Sequence, residues 1–184
     1  LYKKIEKSSI IWIRQHSLNG IGSATMLAKD YVGNNPFLFH AGDLYIPKTK
    51  YLKDMIKVHE KFNPTATIGL KKVKDPRRYG VASFKKNNGK LEITKVVEKP
   101  KNPLSNYVLT GVNIFEKEIF NAIKNTKPGV NNEIQLTDGI QTTIKGGGRV
   151  VGSLMNSTDP CIDIGVPNTY FDAIKYSYNH VIKK

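Results

Sequence analysis

Residues Pro36 to Leu44 read Pro-Phe-Leu-Phe-His-Ala-Gly-Asp-Leu, an apolar run of strand length that stops abruptly on Gly42 and Asp43. Such a run predicts a strand buried on both faces of an open α/β sheet, and ligands of these sheets gather at the strands' carboxyl ends. Asp43 would stand at one of those ends. A carboxylate there, just after a glycine that lets backbone and ligand approach closely, is suited to holding Mg²⁺ against a nucleotide's phosphates. Gly-Asp is also common turn chemistry, so a capping or turn role stands beside the metal role.

The chain has 184 residues, enough for one domain with a real core. Hydrophobic residues at 39% and charged residues at 24% are ordinary for a globular protein, and no window approaches the ~18 apolar residues of a membrane span. The single Cys161 excludes an internal disulfide and every multi-cysteine zinc pattern. It is read as a buried thiol, and it points to a reducing compartment, hence the cytoplasm. Charge is less ordinary, with 29 Lys plus Arg against 15 Asp plus Glu for a net +14. Such an excess attracts nucleic acid, anionic membrane or a phosphorylated small molecule. The lysines fall in scattered pairs (Lys3-Lys4, Lys71-Lys72, Lys85-Lys86, Lys183-Lys184), without the basic stripe or stacking aromatics of a nucleic-acid reader. Most of the surplus is accordingly read as solvated surface, partly in the lysine-rich manner of some thermophiles, and neither nucleic acid nor membrane is expected as a partner.

The chain opens at Leu1 without a methionine, a signal pattern or a helix cap, and reads as if cut from something longer. A strand is predicted at Ile10–Ile13, then a polar loop from Arg14 to Ser23 and a helix over Ala24–Tyr31 with Ser23 as N-cap. After the Phe37–Ala41 strand, apolar Leu52, Met55, Ile56 and His59 mark a helix over Lys48–Phe62, which Pro64 closes. Thr65–Val73 returns as a strand. Tyr79–Phe84 and Leu91–Val97 form a hairpin about Lys86-Asn87-Asn88-Gly89, and Asn106–Phe115 adds a strand before a helix at Lys117–Lys124. A helix from Asn132 to Lys145 ends at Gly146-Gly147-Gly148, Arg149–Met155 is a strand, and Cys161–Gly165 is a short one. A last helix runs from Pro167 to Ile182. The order predicts an α/β fold, a Rossmann-like mixed sheet flanked by helices.

Asp163-Ile164-Gly165 echoes Gly42-Asp43 late in the chain. Two carboxylates at two strand ends of one sheet could bind one Mg²⁺ with phosphate oxygens completing an octahedron. Glu98-Lys99-Pro100 offers an acceptor for sugar hydroxyls beside a cation for a phosphate, although a solvent-facing ion pair is the plainer reading of that dipeptide alone.

Seven motifs stand in order: Gln15 with Gly20, Gly42-Asp43, Asp75 to Val81, Val97-Glu98-Lys99-Pro100, Thr110-Gly111, Glu133 to Asp138, and Asp163-Ile164-Gly165. In this order and spacing the chain resembles the sugar-phosphate nucleotidyltransferases, in their glucose-1-phosphate thymidylyltransferase and uridylyltransferase branch. The resemblance implies transfer of a nucleotidyl group from a pyrimidine nucleoside triphosphate, dTTP or UTP, to a sugar-1-phosphate. It implies Mg²⁺ as the cofactor and leaves self-association into a homo-oligomer open.

By the same resemblance, Gln15 and Gly20 match positions that recognise the base, and a Gln amide has the donor and acceptor to pair with uracil or thymine. Asp43 and Asp163 match the metal-binding aspartates. Gly80, Glu98 and Leu109 match positions on the sugar, and Lys99 matches the lysine that meets the sugar phosphate. Glu133 is a further sugar-side candidate. His16, His40, His59 and His180 match no role and are read as packing or surface histidines.

One part of the family pattern has no counterpart: the glycine-rich Gly-Gly-x-Gly-Thr-Arg loop, with its following Lys, which cradles the triphosphate. Residues 1–184 are accordingly expected to form the C-terminal two-thirds of a single nucleotidyltransferase domain with its N-terminal part absent, and to turn over nothing alone. A non-catalytic nucleotide-sugar-binding or assembly subunit is the alternative expectation.

Overall fold

The computed structural model describes residues 6–182, so Lys3-Lys4 and Lys183-Lys184 lie outside the described residues. The strands are β1 (Phe37–His40), β2 (Leu44–Tyr45), β3 (Ala66–Lys72), β4 (Gly80–Asn87), β5 (Lys90–Glu98), β6 (Tyr107–Phe115), β7 (Val150–Leu154) and β8 (Ile162–Asp163). The helices are α1 (Ile21–Met26), α2 (Lys29–Val32), α3 (Lys50–Phe62), α4 (Glu118–Lys124), α5 (Leu136–Lys145) and α6 (Pro167–Ser177). Six strands form the main sheet in the order β1-β6-β3-β7-β5-β4, while β2 pairs with β8 apart from it. β3 and β7 are parallel, and β6 is antiparallel to both β1 and β3, so β1, β3 and β7 run in one direction. This is the expected mixed sheet.

Helices cover both faces. Tyr51 and Met55 of α3 pack with Val112, Ile114 and Met155 on one side. On the other, Ile119, Phe120 and Ile123 of α4 and Leu136 and Ile140 of α5 meet Ile68, Leu70, Val96 and Phe115. The β4–β5 hairpin turns at Asn88 and Gly89, both at positive φ (46° and 77°), as a two-residue hairpin turn requires.

Several expectations need correction. Ile10–Ile13 is not a strand but exposed, irregular chain; Trp12 is 91% exposed, and the segment pairs with nothing among the described residues. Strand-forming side chains make a strand only where a partner ladder exists. The Phe37–Ala41 run is an edge strand whose Leu38 and His40 face outward, not one buried on both faces. The helix expected over Ala24–Tyr31 is two shorter ones, and its N-cap is Gly20 at φ 97°, because Gly22 N–H is tied to Ile134 O at 2.8 Å. Ser23 lies inside α1, its hydroxyl bonded back to Asn19 O. α5 starts at Leu136, not Asn132, since Asn131 and Asn132 sit at positive φ in a 3₁₀ turn. The last α-helix ends at Ser177 and passes into a wider turn, Tyr178–Ile182. Ile56, expected on the packed face of α3, is exposed, and Tyr51 takes that place.

His59 does pack. Its Nδ1 lies 2.9 Å from Thr67 Oγ1 and its Nε2 3.0 Å from Glu116 Oε1, so one imidazole ties α3 to the sheet. Replacing it with alanine strands two polar partners and leaves a void, which is expected to cost about 2 kcal/mol. Urea unfolding measures this, and a loss under about 0.5 kcal/mol, the range of an ordinary surface change, would show the bridge to be idle.

Candidate functional site

The loops at the carboxyl ends of β1 and β3 open onto a cleft of about 460 Å³, lined among others by Asp43, Gly80, Glu98, Leu109 and Asp163. Five of the expected site residues thus share one cavity although they are far apart in sequence. Lys99, Gln15, Gly20 and Glu133 do not line it.

The aspartates meet through the small β2–β8 ladder, where Leu44 lies opposite Asp163. Ile164 N–H donates to the Asp43 carbonyl at 2.7 Å, and Gly165 N–H donates to Asp163 Oδ1 at 2.8 Å. A Cβ on Gly165 would stand 3.0 Å from Asp163 Oδ1 and 3.6 Å from Asp43 Oδ2, so both carboxylates border one small volume. No third His, Cys, Asp or Glu joins them among the described residues. Two exposed carboxylates with hard oxygen donors and open positions fit Mg²⁺, which keeps waters and takes phosphate oxygens rather than demanding a protein cage.

The facing wall is built on Glu98 at the end of β5. Its side chain is 13% exposed, and Thr137 Oγ1 at the start of α5 donates to its Oε2 at 2.6 Å. Gly80 pairs with Glu98 across the β4–β5 ladder, and a Cβ at Gly80 would come 2.9 Å from Thr137 Oγ1 and 3.1 Å from Glu98 Oε2. The glycine leaves room for that hydrogen bond. Lys99 stands next to the cleft, exposed, at φ 42°, with its Nζ 3.8 Å from Glu98 Oε1 and its N–H on Tyr79 O. Burial first, and the Glu98 charge second, push the Asp138 carboxyl above its ordinary range.

Gln15, Gly20 and Glu133 form a separate cluster beside the cleft. Gln15 Nε2 donates to Gly20 O at 3.4 Å, and a Cβ on Gly20 would touch Glu133 Cβ and Ile134 O at 2.8 Å. Glu133 accepts a bond from Gln135 Nε2 at 3.0 Å. The neighbouring Ile21 carries this loop to the cleft wall.

Sequence reasoning overlooked Thr137 and Gln135, which line the cleft from within the Glu133–Asp138 motif, and Asn113, which lines it from β6. For the first two the motif was the signal; a lone Asn in a strand gives none. Cys161 is half-buried at the cleft edge, where burial chiefly pushes its thiol up.

A mixed sheet with helices on both faces, and a cleft at the carboxyl ends of its co-directional strands, defines a ligand-binding α/β protein of the Rossmann-like class. The chain belongs to the nucleotidyl transferase family, which it matches over residues 2–179. It is 33% identical over 151 residues to the UTP–glucose-1-phosphate uridylyltransferase of Staphylococcus haemolyticus, covering 77% of this chain and 52% of that protein. A UDP-glucose pyrophosphorylase solved with UDP-glucose superposes with a TM-score of 0.87 at 28% identity, covering 97% of this chain and 69% of that one. The UTP-bound enzyme of that name from Acinetobacter baumannii gives 0.78 at 26% identity, over 98% and 68%. The chain spans about half the length of the curated uridylyltransferases it matches.

Proposed function

We propose that the cleft holds the sugar-phosphate end of a nucleotide sugar, and that the protein serves nucleotidyl transfer from UTP or dTTP to glucose-1-phosphate. In that reaction a phosphate oxygen of the sugar-1-phosphate attacks the α-phosphorus of the triphosphate and pyrophosphate leaves. The observation that carries the reading is the convergence of Asp43 and Asp163 beside Gly165, in a cleft whose other wall is the Thr137-braced Glu98.

Asp43 and Asp163 would hold Mg²⁺, which neutralises phosphate charge when bound. Glu98 accepts hydrogen bonds from sugar hydroxyls, and Thr137 fixes its rotamer. Gly80 and Leu109 present backbone to the sugar, Glu133 supports that side, and Lys99 meets the sugar phosphate. Gln15 and Gly20 take the pyrimidine, with Ile21 bridging their loop to the cleft. Catalysis by such a site is alignment and charge neutralisation, with no covalent enzyme intermediate. The relatives named for UTP support uridylyl transfer, and the lone cysteine supports the cytoplasm as its compartment.

Isothermal titration with UDP-glucose and Mg²⁺ tests the site. Saturable binding is expected, while UTP, Mg²⁺ and glucose-1-phosphate together are expected to release no pyrophosphate from these 184 residues. Failure to bind UDP-glucose with or without Mg²⁺ overturns the reading.

A further inference from the structure

Asn113 stands on β6 directly opposite Ile68 of β3 and Phe39 of β1. Directly opposed residues share a face of the sheet, so Asn113 lies on the face where Ile68, Leu70 and Phe115 form the main core. A primary amide there, 2% exposed, is out of character for its surroundings, yet it lines the cleft.

Its orientation is set locally. β3 and β6 slip out of register between Ile68 and Leu70, and Gly69 N–H inside that irregularity donates to Asn113 Oδ1 at 3.3 Å. An N–H needs an acceptor, so the carbonyl side of the amide must face Gly69 and the Nδ2 donors must be turned from it. Those donors meet no partner among the described residues. Among the described residues the one fully buried side-chain oxygen or nitrogen without a partner is Thr110 Oγ1, so Asn113 Nδ2 reaches the cleft, where an acceptor entering it can take the place of water.

We propose that Asn113 is a specificity-determining residue whose Nδ2 donates to a hydroxyl oxygen of the nucleotide sugar seated in the cleft. The inference rests on the nucleotide-sugar reading above. The hydroxyl belongs to the hexose or to the ribose, and both present the same acceptor. An Asn kept only to satisfy Gly69 would need its oxygen alone.

Asn113→Asp separates these roles, because it keeps an oxygen for Gly69 and replaces the donor with an acceptor. It is expected to weaken UDP-glucose binding about 10-fold or more in titration calorimetry, with a lowered thermal midpoint, because a nearly buried carboxylate is costly, but a transition that stays cooperative. Asn113→Ala removes both functions and is expected to lower midpoint and affinity together. UDP and glucose-1-phosphate titrated separately locate the contact: a loss confined to UDP assigns the ribose, and one confined to glucose-1-phosphate assigns the hexose. Independently of any variant, UDP-glucose is expected to shift the Asn113 side-chain amide signals in ¹⁵N-resolved spectra of the unchanged chain. Undiminished binding of all three ligands by Asn113→Asp, or unshifted amide signals at saturation, overturns the proposal. An unchanged chain that binds none of them overturns the functional reading and this inference with it.

Discussion

Asp163→Asn is expected to abolish the Mg²⁺ dependence of UDP-glucose binding while leaving the fold intact. Asparagine retains an oxygen for the Gly165 N–H, now 2.8 Å from Asp163 Oδ1, and the β2–β8 ladder uses backbone only. What it removes is one of the two negative charges that border the space beside Gly165. Mg²⁺ held by so few protein ligands tolerates no such loss, since it leaves water reluctantly. Even groups that merely orient a metal's ligands cost 10–100-fold when mutated, so losing a ligand should weaken the Mg²⁺-dependent affinity by about 100-fold or more. Asp43→Asn is expected to behave alike. Calorimetry at several Mg²⁺ concentrations decides it, and a variant that responds to Mg²⁺ as the unchanged chain does would sink the paired-carboxylate assignment.

Gly80→Val is expected to act through shape. Its Cβ would press on Thr137 Oγ1 and Glu98 Oε2, and its methyls would occupy the space of the Thr137–Glu98 hydrogen bond. Glu98 must then swing away from its brace. A hydrogen bond to a charged group is worth about 2 kcal/mol, so UDP-glucose affinity should fall roughly 30-fold. Gly80→Ala should fall less, because a single methyl asks Thr137 and Glu98 to shift by less than the branched valine side chain does. UDP, which lacks the hexose, should bind nearly as before. An equal loss for UDP and UDP-glucose would assign Gly80 to the shape of the whole cleft instead of to the sugar wall.

The sequence disclosed most where structure depends on near neighbours. The β4–β5 hairpin was legible because Asn88-Gly89 tolerates the positive φ its turn needs, and α3 because apolar residues recur at helical spacing. The misreadings share a cause in tertiary context. Ile10–Ile13 has strand chemistry without a ladder to join, and whether Phe37–His40 is central or at an edge depends on strands elsewhere in the chain. The start of α1 was moved by Gly22 docking on Ile134, a contact no local signal announces. At the site, ordered motifs delivered Asp43, Gly80, Glu98, Leu109 and Asp163 to one cleft. The partners that tune them were not legible, since Thr137 acquires a role only when α5 is laid against the end of β5.

The strand order also dictates a sequence of assembly. β7 sits between β3 and β5, yet it is the last strand of the main sheet to be synthesised. Until residues 150–154 emerge, the facing edges of β3 and β5 have no strand between them, and Gly152, whose missing Cβ makes room for Leu70, Leu91 and Ile93, has yet to arrive. Non-local closure of this kind is slow, and open strand edges are where chains pair wrongly with each other. A nascent chain halted before Val150 therefore carries a hairpin that meets the rest of the sheet through β4, where Val81 lies opposite Val108 of β6, while the facing edges of β3 and β5 stay unpaired. Asp163, encoded after that strand, can reach Asp43 only through the β2–β8 ladder, so the carboxylate pair forms after every strand of the main sheet has been made.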